Sequence, residues 1–346
     1  MRFFKIGLFI IALILGAYAA SMYYLVDESN TFKVEKEINY PVEKVFPQFN
    51  RLQNFTRWNA FFSSSKTMRI DYYSPYQGKD AALSYHDPET RSSGEMYIRY
   101  HNENRTLRMQ HFEGKEDYPT LIDIKFEPVG AERTRISWTF HTPKQRLMSR
   151  ISNLWTEDDF VDNLDKSMAG LTAILSNQVE KEYMLSDIKY DSLMVQQEEG
   201  QLILGMNVTT SNKKDALYKN VLKNYNTVYN FVTSDLGKRH DEFGYTVILT
   251  DADNFKDNEV SYFIGVPLSK RSGLSDNSFN FRTVNEAQTY TIYYSGSYSA
   301  RIPAIQKLLA RAKKDSMRHG ELMQVFLENP QEGSDVLMKL SLPVYR

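Results

Sequence analysis

One phrase is written twice in the second half of the chain. "EVSYFIGVPLS" begins at Glu259 and "DVLMKLSLPVY" at Asp335, 76 residues later. Both alternate as a strand does, and both stop at a proline, which cannot donate to a central ladder. The surroundings repeat too. "QLILGMNVTTS" reads as a strand, "DALYKNVLKNYNTVYNFVTSDLG" as a helix closed by Gly237, and "GYTVILTD" as a strand. "AQTYTIYYSGSY", the helix "RIPAIQKLLARAKKDSMRHG" closed by Gly320, and "LMQVFLENP" then follow in the same order. The doubled phrase therefore ends a β-α-β-β run that occurs twice. One such run cannot bury both faces of its sheet. Two runs paired edge to edge, with both helices on one side, leave the other face as a concave groove.

The N-terminus has a different character. Ile6 to Val26 carries no charge over 21 residues, enough to cross a hydrocarbon core of roughly 30 Å as a helix. Arg2 and Lys5 precede it, Asp27 and Glu28 follow it, and Tyr18, Tyr23 and Tyr24 crowd its far end. This pattern predicts a single-pass anchor over residues 1–26, with the N-terminus cytoplasmic and the remainder on the extracytoplasmic (periplasmic) side. Ala17-Tyr18-Ala19 also offers a cleavage pattern, so a removed signal peptide is the alternative.

Between anchor and repeat, residues 31–180 read as one domain. "FKVEKEINYP" alternates as a strand. Val42, Val45, Phe46, Phe49 and Leu52 then recur at helical spacing, with Pro47 predicted to open a second short helix. Six strand candidates follow, from "TMRIDYY" to "TRISWTFHT", separated by short polar turns, which predicts an antiparallel meander. A long helix closes the domain. Thr156 is its expected N-cap, Trp155 and Phe160 its staple, and Phe160, Leu164, Met168, Leu171 and Leu175 its buried stripe. Ala169 and Gly170 allow close approach to a sheet.

The strand, helix pair, meander and long helix, with "INYPVEKVFPQFNRLQNFTRWNAF" at the opening, resemble the SRPBCC superfamily of START-related and polyketide cyclase-like proteins. The resemblance implies a helix-grip fold with an apolar cavity, for which Trp58, Phe62, Ile98, Trp138, Phe160 and Met168 are the candidate lining. Residues 187–346 resemble the GyrI-like effector-binding domain, through "YYSGSYSARIPAIQKLL", "QVFLENP", "IGVPL" and "LSLPV". This implies a groove for amphipathic or lipophilic small molecules. Gln324 and Phe326 stand where that family usually has Glu and then Tyr, so cation preference and acid/base chemistry lose their carboxylate. Gln324 and Phe326, with Tyr262 and Ile264, are placed on the concave face, and Tyr293 at its rim. The expected architecture is α+β, a helix-grip domain and a duplicated β-α-β-β domain after one transmembrane helix.

Composition narrows the chemistry. Net charge is −1 and no Lys/Arg run exceeds two, so no nucleic acid partner is expected. There is no cysteine, and the six histidines form no H-x-H or H-E-x-x-H pattern, so no metal or cofactor is expected. His240 and His319 read as helix-end cations. No G-x-S-x-G elbow, Walker loop or G-x-G-x-x-G occurs. The leading expectation is a membrane-tethered, non-catalytic binder of a lipophilic small molecule. The alternatives are a cyclase- or hydrolase-type enzyme, and an interaction protein with vestigial cavities.

Overall fold

A computed structural model describes residues 2–114, 118–186, 188–213, 216–240, 242–333 and 335–346, without the side chains of Arg2, Phe3, Lys5, Lys181, Glu182, Met184, Leu185 and Phe255. Asp187 and Asp215, where the sequence reading begins the second domain and its first helix, lie outside these residues. The chain is α+β and forms two compact units, Met1–Glu180 and Lys181–Arg346.

The first unit opens with α1 (Arg2–Leu25), whose stretch Ile6–Leu25 is long and apolar enough to cross a membrane. Strand β1 (Thr31–Ile38) and three short helices, α2 (Val42–Asn50), α3 (Leu52–Trp58) and α4 (Ala60–Ser63), come next. Six strands follow: β2 (Arg69–Tyr73), β3 (Ala82–His86), β4 (Ser93–Asn102), β5 (Thr106–Glu113), β6 (Thr120–Pro128) and β7 (Thr134–His141). They form one antiparallel sheet in the order β1-β7-β6-β5-β4-β3-β2. A 3-10 turn (Leu147–Leu154) leads into the long helix α5 (Thr156–Ser186).

Alternation decides the core. Ile136, Trp138 and Phe140 of β7 are buried beside Ile122, Ile124 and Phe126 of β6. Leu164, Leu171 and Leu175 of α5 are buried as well. Gly170 has a specific use: a Cβ there would stand 2.8 Å from the Trp58 carbonyl oxygen. Its bare backbone thus lets α5 close on the end of α3, rather than on a sheet.

Two local expectations differ. Pro47 sits inside α2, and the break comes at Arg51, whose extended backbone (φ −107°, ψ 113°) separates α2 from α3. Thr156 does not cap α5. The 3-10 turn runs into the helix, so the Thr156 hydroxyl donates backward to the Ser152 carbonyl, and Trp155 is left exposed.

The second unit contains β8 (Leu193–Glu198), β9 (Gln201–Ser211), α6 (Ala216–Asn230), β10 (Val247–Thr250), β11 (Glu259–Pro267) and β12 (Asn280–Val284). It continues with β13 (Ala287–Gly296), α7 (Ile302–Lys314), β14 (Arg318–His319), β15 (Leu322–Phe326) and β16 (Val336–Tyr345). The antiparallel sheet runs β12-β9-β11-β10-β15-β16-β13-β8. Each β-α-β-β run keeps its three strands together, and the runs meet at β10 against β15. Strands β8 and β12 flank them and were not foreseen. Gly237 closes the first helical stretch at φ 61°. Helix α7 stops at Lys314 instead of Gly320, because Ser316 turns left-handed (φ 55°) and Arg318–His319 pair with β16. His319 is therefore a strand residue. His240 shares a 2.6 Å hydrogen bond with the Tyr229 hydroxyl.

Candidate functional site

In the first unit a cavity of about 590 Å³ lies between the sheet and α5. Its volume falls in the range that holds drug-sized ligands, ~300–1,000 Å³. Period-2 alternation points Met96, Met109, Ile122, Ile124, Trp138 and Phe140 inward from four strands. Trp58 and Phe62 close it from α3 and α4, and Phe160 and Leu164 from α5. Trp58 is held by its indole N–H, which donates to the Gln48 carbonyl at 3.0 Å. Of the predicted lining, Trp58, Phe62, Trp138 and Phe160 border the cavity. Ile98 and Met168 do not; both are packed into the core, since their positions fall beyond the reach of the open volume.

The walls are apolar in depth and polar where solvent enters. Trp58, Met109, Ile124 and Trp138 are at most 3% exposed, whereas Glu113, Ser152 and Asp159 are exposed lining residues that mark the opening. Between them stands His111, which sequence reasoning passed over. Its hydrogen bond to the Tyr85 hydroxyl is 2.8 Å long, and Phe61 packs edge-on against both rings. Burial pushes the imidazole down to about 4, so it is neutral at pH 7, and burial raises the Tyr85 phenol. The signal was present: His111 lies two and four residues beyond Met109 and Leu107 on one strand, hence on their face.

The second unit does not present the expected groove. Tyr262, Ile264, Gln324 and Phe326 are at most 4% exposed and lie beneath the helices. The Tyr262 hydroxyl donates to Asn220 of α6 at 2.7 Å and accepts from Asn224 at 3.2 Å. Tyr293 points to the opposite face, with the Lys339 ammonium 6.0 Å from its ring centre. Gln324, Phe326 and Tyr262 instead meet Arg301, Tyr298 and Asn220, on the face that the helices cover. Only about 20 Å³ remains open among Ile248, Tyr262, Tyr298, Arg301 and Gln324.

Arg301 fills that space. Its Nε donates to Gln324 Oε1 at 2.8 Å, and one terminal N–H donates to the Tyr298 carbonyl at 2.6 Å. Its guanidinium lies 3.5 Å from the Tyr298 ring centre, and that ring stacks on both Tyr218 and Phe326. An open cleft of about 580 Å³ adjoins this stack, lined by Tyr218, Lys219, Tyr298, Arg301 and Asp335 among others. No group of three His, Asp or Glu side chains suited to a metal occurs among the described residues.

No family model matches the chain, and no curated protein matches it. Solved structures do. The crystal structure of the EcmrR C-terminal domain aligns over 45% of this chain and 98% of its own, at 10% identity and a TM-score of 0.36. The crystal structure of a hydrolase from Listeria innocua aligns over 48% of this chain and 98% of its own, at 11% identity and a TM-score of 0.34. A protein from Arthrobacter aurescens, solved by NMR, aligns over 42% of this chain and 86% of its own, at 17% identity and a TM-score of 0.33.

Proposed function

We propose that this chain is a membrane-tethered binding protein, a sensor or carrier, that holds a lipophilic or amphipathic small molecule in its first unit without transforming it. The observation that carries this reading is the cavity of about 590 Å³, apolar in depth and polar at its opening. Such a gradient suits a ligand with a hydrocarbon body and a polar end. The strand, short helices, meander and α5 support a helix-grip reading of this unit. The two β-α-β-β runs, with the residues quoted above, support a GyrI-like reading of the second. The charges around α1 support an N-in, C-out topology.

A second reading is favoured by one pair. Tyr85 and His111 are joined by a hydrogen bond at a water-reachable cavity wall, with Glu113 nearby, and a neutral imidazole there could accept a proton during hydrolysis or cyclisation. Native mass spectrometry of the detergent-extracted full-length protein separates the two. A co-purifying lipophilic molecule that stays intact on incubation supports the binder. Its conversion, abolished by His111→Gln, supports the enzyme. A cavity that co-purifies empty and takes up no fatty acid, sterol or isoprenoid sinks both.

A further inference from the structure

The segment joining β7 to α5 meets three things at once. Its 3-10 turn packs against the end of α1. Tyr18 and Met22, four residues apart, share one face of α1, and Val26 follows just past its end; Met22 and Val26 are each 7% exposed. The Tyr18 hydroxyl donates to the Met148 carbonyl at 3.0 Å, and Arg150 reaches the Met22 and Val26 carbonyls and the Glu28 carboxylate. Asn153 donates to the Asp27 carbonyl at 2.8 Å, and its own carbonyl accepts from Asn30 at 2.7 Å. On the cavity side, Ser152, Asn153 and Thr156 form part of the lining. On the outer side, Met148, Leu154 and Trp155 are each 54% exposed and Ile151 is 38% exposed.

The anchor says what covers that outer side. Tyr18 lies seven residues before Leu25, about 10 Å down the helix axis at ~1.5 Å per residue. If the apolar stretch of α1 ends at the membrane surface, a turn bonded to Tyr18 sits within the boundary layer, where amphipathic elements bury their apolar side ~5–10 Å deep.

We propose that Leu147 to Trp155 is an interfacial docking element that seats the mouth of the first cavity on the bilayer, so that the cavity draws its occupant, an acyl-chain lipid, from the adjoining leaflet. The lipid part rests on the binding reading above; the docking part rests on the α1 contacts and on the membrane-tethered reading of α1.

The test uses the full-length protein in phosphatidylcholine vesicles, with and without bromine on the upper acyl chain. Wild type and Trp155→Phe are compared by tryptophan fluorescence. Docking predicts a quenched component in the wild type that Trp155→Phe lacks; equal quenching of the two overturns it. Quenching common to both reports bromolipid beside Trp58 and Trp138, hence in the cavity, and its absence removes the lipid-binding reading while leaving docking to the first comparison. Met148→Asp with Leu154→Asp, both exposed sites, is expected to slow cavity loading from vesicles by at least about tenfold, and to leave loading from detergent micelles unchanged. Unchanged loading from vesicles overturns the uptake route. A detergent-stable dimer dissolved by Met148→Asp would assign the surface to a second copy and overturn the proposal.

Discussion

Arg301 and Gln324 are bonded through Nε and Oε1 at 2.8 Å, both more than nine-tenths buried beneath the helices of the second unit. A cation thus already occupies the place where a neutral groove was expected. Among the described residues no carboxylate lies within ion-pair distance of that guanidinium; its surroundings are the Tyr298 ring, the Tyr298 carbonyl and the Gln324 amide. Gln324→Glu will therefore neutralise Arg301 instead of recruiting a cationic ligand. Titration with matched cationic and neutral dyes should show less than about a threefold gain for the cation in Gln324→Glu, and at least about tenfold, ~1.4 kcal/mol, in Gln324→Glu with Arg301→Ala. A strong gain in the single variant would show that Arg301 moves aside.

Arg301→Ala alone should destabilise the second unit by about 2–4 kcal/mol. It strands the Gln324 amide, removes the cation from the aromatic stack and leaves a void. Arg301→Met, which keeps the volume, should recover part of that loss. Equal midpoints for wild type and Arg301→Ala in urea unfolding would contradict this.

The first unit should lose stability in mild acid. The folded His111 pKa is about 4, below the ordinary value of 6.5, so the unfolded chain binds the extra proton first. The contribution is complete above pH 6.5 and drains as pH falls from there through 4, by up to about 3 kcal/mol. Thermal melts at pH 7 and pH 4.5 measure the slope, and His111→Gln should flatten it.

Gly170→Ala should destabilise the first unit by about 1–3 kcal/mol, although alanine is the better helix former. The new methyl would stand 2.8 Å from the Trp58 carbonyl oxygen, a backbone atom that can move only with α3. The variant should also redshift Trp58 emission by loosening its contact with Phe49, whose ring centre lies 4.6 Å away.

A reporter fused after Arg346 should be active only outside the cytoplasm if Arg2 and Lys5 hold the N-terminus inside. Activity in the cytoplasm would reverse the topology. A mature N-terminus at Ala20 would replace the anchor by a signal peptide, and would remove Tyr18 from its bond to Met148.

Period and punctuation made most elements legible. The meander strands alternate, the helices carry apolar stripes, and the doubled phrase marks β11 and β16. The first cavity was legible only in part, because alternation gives a residue's face but not its depth: Trp138 borders the open volume, whereas Ile98 is sealed. The second groove was misplaced for a related reason. Gln324 and Phe326 do share a face, yet no local pattern says which face the helices will cover. Arg301 carried no signal of its own, because a basic residue ahead of a helix ordinarily reaches into solvent. The turn Leu147–Leu154 is hard to read because, although Met148, Ile151 and Leu154 recur every third residue, three apolar positions over one short stretch are too few to mark a helix.

The seam between β10 and β15 joins two β-α-β-β runs of one chain within a single sheet. Val247–Thr250 lies against Leu322–Val325, and the two runs touch nowhere else along the sheet order. Either run alone would expose an unpaired strand edge that recruits a partner. Carried on one chain, the pairing forms at a concentration set by the linker and not by expression. It also frees the halves to diverge. Ile248 faces Gln324 directly across the seam, apolar against polar, with Arg301 on one side only. Two identical chains meeting at such a seam would have to set identical groups across it; one chain can set unlike groups there, and its interior is handed.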